Sequence, residues 1–132
     1  DGKRIFAFGG AESHDKKYRK LGYTFWKEEL PSKDEIEIGR KNLEAVDWNV
    51  DIIVTHSLPE RIQEDLYNDE IYRTTDLTLF FDEVDEKTDF MLWFSGHYHR
   101  SFRYDEKHML IYNEIVRLTD KDIETVYHQK DE

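Results

Sequence analysis

The stretch Phe90-Met91-Leu92-Trp93-Phe94-Ser95-Gly96-His97-Tyr98-His99 decides how this chain is read. An unbroken apolar run of this length reads as a strand, and the histidine pair follows at its end. Residues two apart in extended or turning backbone project to the same side, so His97 and His99 can serve one site. A second apolar run, Ile52-Ile53-Val54, also ends in a histidine, in Thr55-His56-Ser57. His56, His97 and His99 therefore stand just past the ends of two strands, and are candidate metal ligands. Neutral imidazole is the commonest protein ligand for zinc, manganese, iron and nickel.

Working outward, Arg4 to Phe8 reads as a strand closed by Gly9-Gly10-Ala11. Ser32 and Glu35 have the spacing of a capping box, and Ile36, Gly39, Leu43 and Val46 mark one face at helical period. That helix is expected to stop near Asp47-Trp48-Asn49. Val50 to Thr55 is a strand, and Leu58 to Asp69 a polar loop or short irregular helix. Leu77, Phe80, Phe81 and Val84 predict a helix over 75–87. Ser101–Tyr104 and Met109–Tyr112 flank Asp105-Glu106-Lys107 and predict a hairpin. The segment 119–132 is polar and acidic, and is expected to be a frayed tail or marginal helix. The succession gives an α/β fold, with helices over one face of a mixed sheet and function at the strand-end loops.

A formal net charge of −11 over 132 residues argues against bulk attraction to nucleic acid or an anionic membrane. It leaves a phosphate-bearing substrate open, nucleic acid included, because bound divalent cations would reverse the local sign. The chain has no cysteine, which removes thiolate nucleophiles, disulfides and cysteine-based zinc sites, and fits a cytoplasmic location. No apolar run approaches the length of a membrane span. Hydrophobic residues make up only 38%, so the core is expected to be incomplete, with the 14% aromatic share offsetting part of the deficit. The opening Asp1-Gly2-Lys3 reads as the middle of a hairpin, as in a chain cut from a longer one.

Gly96-His97-Tyr98-His99, with Thr55-His56 upstream, resembles the last two motifs of the calcineurin-like metallophosphoesterases. Gly9-Gly10-Ala11-Glu12-Ser13, Asp15-Lys16, Arg19, Trp26 and Glu29-Leu30-Pro31 resemble a connecting segment of small bacterial and phage members. The resemblance implies the C-terminal part of a metallophosphoesterase-type sandwich of mixed β-sheets with flanking helices, over residues 1–118, followed by an acidic tail at 119–132. It implies His56 and His97 as ligands of the second metal and His99 as a ligand of the first. Two divalent ions (Mn, Fe, Zn or Ni) would hydrolyse phosphomonoesters or phosphodiesters through a metal-activated hydroxide. The family's Asp-x-His, Gly-Asp and Gly-Asn-His motifs are missing from this sequence. The chain alone is therefore expected to be inactive, its site completed by an N-terminal half in cis or by another polypeptide. The alternative is a non-catalytic metal-binding or protein-interaction module derived from that fold.

Other residues carry weaker signals. Arg19 and Arg100 are candidates for a substrate phosphate, because guanidinium pairs bidentately with phosphate oxygens; the salt-bridged or solvated reading competes. Asp15 and Glu28 are candidate carboxylate ligands without an assigned place. Tyr98, between two proposed ligands, is expected to point away from the metals and pack. His14, His108 and His128 read as loop, turn and tail residues. Asp82-Glu83-Val84-Asp85-Glu86 reads as a solvated helix face.

Overall fold

A computed structural model describes residues 2–12, 30–67, 71–120 and 122–130. Five strands form one sheet in the order β1-β2-β3-β5-β4. β1 (Ile5–Phe8), β2 (Ile52–Thr55), β3 (Leu92–Ser95) and β5 (His108–Leu110) run parallel, and β4 (Phe102–Arg103) pairs antiparallel with β5. The sheet is thus mixed and mainly parallel, and the fold is α/β. The expected 101–112 hairpin is the β4–β5 pair.

Helix α1 (Lys33–Glu44) starts as its sequence dictates. Ser32 accepts from the Glu35 amide at 3.2 Å while the Glu35 carboxylate accepts from the Ser32 amide, also at 3.2 Å. Ser32→Ala should cost about 1 kcal/mol, the usual loss for an N-cap, read as a lowered midpoint in urea unfolding. The chain leaves α1 through Asp47 and Trp48, both in the left-handed region at φ 53° and 54°, where the sequence predicted the stop. Helix α2 (Glu60–Leu66) is short, and α3 (Asp76–Lys87) is capped by Thr75.

The period-two alternation of the strands divides the core. Phe6, Ile53 and Trp93 face α1 and α3, packing with Ile36, Leu43, Leu77, Phe80, Phe81 and Val84. Ile52, Leu92, Phe94 and Met109 face the other way, where Val116, Leu118 and Ile123 cover them. That cover is a two-stranded antiparallel sheet, β6 (Glu114–Leu118) with β7 (Ile123–His128). The expectation of a frayed tail or marginal helix after residue 118 is therefore corrected: 123–128 is a strand. Its backbone gains a ladder partner in β6, and Ile123 packs on the Phe94 cluster. Covered on both sides, β3 is buried along its whole length, which explains its unbroken apolar run.

Among the described residues, this cover does not reach β1. Ile5 is 59% exposed and Val54 42%, so the hairpin-side face of β1 and β2 stays open. The incomplete core expected from the low apolar content is localised there.

Candidate metal centre

The parallel pairing of β2 with β3 places Thr55 opposite Ser95, so the chain leaves both strands side by side. The residues that follow, His56 and Gly96-His97, meet at the carboxyl end of the sheet, where α/β folds bind ligands. The His56 and His97 rings lie 4.9 Å apart between centroids, inclined at 60°. Gly96 makes that approach possible. A Cβ there would sit 3.1 Å from His56 Nδ1. Gly96→Ala is expected to displace the His56 ring and weaken divalent-metal binding several-fold, as measured by calorimetric titration.

Buried hydroxyls hold the strand ends. Thr55 Oγ1 donates to the Ser57 carbonyl at 2.6 Å and accepts from Trp93 Nε1 at 2.8 Å. This gives the fully buried indole its hydrogen-bond partner. Ser57 Oγ donates to the Gly10 carbonyl at 3.1 Å, drawing the loop after β1 beside the loop after β2. Glu12 in that loop pairs with Arg73.

His97 and His99 both occupy left-handed backbone, at φ 76° and 53°. Non-glycine residues adopt it sparingly and at a cost that surrounding structure must offset, as recurs at functional sites. His99, which the resemblance assigns to the other metal, stands apart from the His56–His97 pair. It is exposed and stacks on Tyr112, with centroids 5.0 Å apart and planes 18° apart. Its charge still reaches His56. Burial first, and the positive charge of a protonated His99 second, hold the His56 pKa below its ordinary 6.5. The lowering favours the neutral imidazole, the form that ligates metal.

Among the described residues, no group of three or more His, Cys, Asp or Glu side chains is arranged to hold a metal ion. The imidazole pair fits one side of a metal site. It does not fit a complete two-metal centre, and carboxylates would have to come from elsewhere. Arg100 is exposed, with its guanidinium 4.7 Å from the centroid of the Phe102 ring. Arg19, Asp15, Glu28, His14 and Trp26 lie outside the described residues.

Tyr98 is buried, in keeping with the packing role expected of it, and its ring meets that of His97 edge to face at 5.0 Å. Its hydroxyl donates to Gln63 Oε1 at 2.7 Å and accepts from the Leu58 amide at 3.0 Å. The sequence reading missed the aromatic surroundings of the histidines. Tyr72 meets His97 edge to face at 5.6 Å, and Tyr67 stacks on Tyr98 at 5.0 Å. A tyrosine in a polar loop gives no sign of its distant partner.

Two expectations made from sequence are corrected here. His108 is not a turn residue at the surface but a strand residue 4% exposed. Its Nε2 lies 2.6 Å from Asp85 Oδ1 and its Nδ1 2.9 Å from Asp105 Oδ1. Asp85 likewise leaves the solvated face assigned to 82–86, taking a second partner in Arg61 at 2.5 Å. Helix α3 turns that carboxylate inward over β5. The i, i+3 spacing of Asp105 and His108 was the one local sign of this arrangement.

No family model, curated protein or solved structure matches this chain. No helix among the described residues is long and apolar enough to cross a membrane.

Proposed function

We propose that this chain carries the histidine ligands of a metal-dependent phosphoesterase, as the C-terminal part of a calcineurin-like metallophosphoesterase sandwich. The observation that supports the reading is the His56–His97 pair, delivered side by side by two parallel strands at the carboxyl end of the sheet. The five-stranded sheet with helices on one face and a two-stranded sheet on the other is compatible with that sandwich. Two divalent ions (Mn, Fe, Zn or Ni) bound at such a centre supply a clamp on phosphoryl oxygens and a water of lowered pKa.

The chain's own part is to bind and orient. His56 and His97 present imidazole nitrogens from rigid strand ends, and His99 stands at the rim against Tyr112. Arg100, exposed three residues after His97, is the arginine assigned to a substrate phosphate. Carboxylate ligands would come from an N-terminal half, in cis or from another chain. The substrate is a phosphate monoester or diester, with nucleic acid among the classes allowed, and the reaction is assigned to the cytoplasm.

The test is hydrolysis of an aryl phosphodiester by the full-length polypeptide that contains this sequence. Turnover that requires Mn²⁺, stops on chelation and returns with the ion is the expected result. No turnover under any metal would make the protein the non-catalytic module instead.

A further inference from the structure

A hydrogen bond from the Leu58 amide to the Tyr98 hydroxyl joins the two histidine-bearing loops. We propose that Tyr98 is a positioning residue, setting the loop 96–99 against the loop 55–58 and hence the separation of His97 from His56. The proposal rests on the reading of that pair as metal ligands.

The geometry is specific. Tyr98 lies between two residues in left-handed backbone, a conformation that would relax if nothing held it. Its hydroxyl accepts from the Leu58 amide, two residues past His56, so one hydrogen bond spans the two loops. The same hydroxyl donates to Gln63 on α2. Gln63 is itself fixed, its amide reaching the carbonyls of Tyr72 and Arg73 at 3.3 Å each. The Tyr98 ring is held in turn. Tyr67 stacks on it with planes 10° apart, and Tyr72 packs against it at 4.9 Å while meeting His97. Hydroxyl and ring therefore define both the height and the rotation of the loop. Side chains that orient a ligand from outside the ligand set typically cost about 10–100-fold in metal affinity when removed.

The test compares Tyr98→Phe with the unaltered full-length protein, measuring the Zn²⁺ dissociation constant and the melting temperature without metal. Phenylalanine keeps the ring contacts and removes only the hydroxyl. The expected result is a dissociation constant raised about tenfold or more, within the range for such partners. Gln63→Met, which removes the acceptor at similar length, should shift affinity in the same direction. Leu66→Ala, in the same apolar cluster, should lower the melting temperature and leave the dissociation constant unchanged. A Tyr98→Phe protein that melts lower but binds Zn²⁺ as tightly as the parent would overturn the assignment and leave the metal reading intact. Failure of the parent protein to bind Zn²⁺ would overturn that reading, and the assignment with it.

Discussion

Asp85→Ala should lower the unfolding free energy by about 3–5 kcal/mol, the loss expected when one partner of a buried ion pair is removed. Among the described residues, His108 is the buried imidazole with a carboxylate at each nitrogen. A neutral imidazole has one N–H and so can satisfy one of them. Engaging both carboxylates as donor requires the imidazolium. Removing Asp85 strands that cation, while the exposed Arg61, whose guanidinium shares the carboxylate, loses only a surface partner. It also releases α3 from β5, since this bond joins the helix to the strand. A double replacement of His108 and Asp85 by apolar residues of similar volume should recover much of the loss, because burying the two charges is itself costly. Urea unfolding of the single and double variants distinguishes a stranded charge from a simple cavity.

The same cluster sets a pH window. Burial alone would lower the His108 pKa, but the bonds to Asp85 and then Asp105 outweigh it and raise the value above the ordinary 6.5. A raised folded-state pKa contributes stability that is complete below about 6.5 and is lost as pH rises through the folded value. Burial likewise works to raise Asp85 and Asp105, and the bonds from His108 prevail, with Arg61 adding to them at Asp85, holding both below 3.8. Their contribution is present above about 3.8 and is lost as pH falls through the lowered values. Stability should therefore peak between these limits, and the alkaline decline should disappear in the apolar double variant.

His97→Ala should abolish phosphodiester hydrolysis in the full-length protein, with a fall of at least about a hundredfold in kcat/KM. That exceeds the loss usual for a residue that only orients a ligand. His56→Ala should do the same, because the two rings lie side by side, 4.9 Å apart between centroids. The effect should lie mainly in kcat at saturating Mn²⁺ if the remaining ligands still hold the ion. His99→Ala should be milder, since that ring is exposed and stacked on Tyr112 rather than paired with His56. Equal activity in all three variants would remove the histidines from the chemistry.

The part of the site that could be read from sequence is the part built by local rules. A continuous apolar run and the glycine after it are features of one short stretch, and the structure buries that run along the whole of β3, while of the two histidines that follow His97 meets His56 and His99 stacks on Tyr112. The capping box of Ser32 and Glu35 is equally local. What stayed hidden depends on contacts between distant segments. β7 contains good strand formers in Ile123, Thr125, Val126 and Tyr127, but its acidic surroundings outweighed them until pairing with β6 supplied the ladder. His108 looked like a surface turn because its principal partner, Asp85, is contributed by another helix. The low mean apolar content was informative in a different way, since it pointed to the open face at Ile5 and Val54.

The most direct measurement is the anomalous difference map of a crystal of the full-length protein grown with Zn²⁺. The account predicts a peak about 2.0–2.1 Å from one ring nitrogen each of His56 and His97, the usual zinc–imidazole distance. A map with no peak between those rings, from a crystal that holds Zn²⁺ elsewhere, would contradict it.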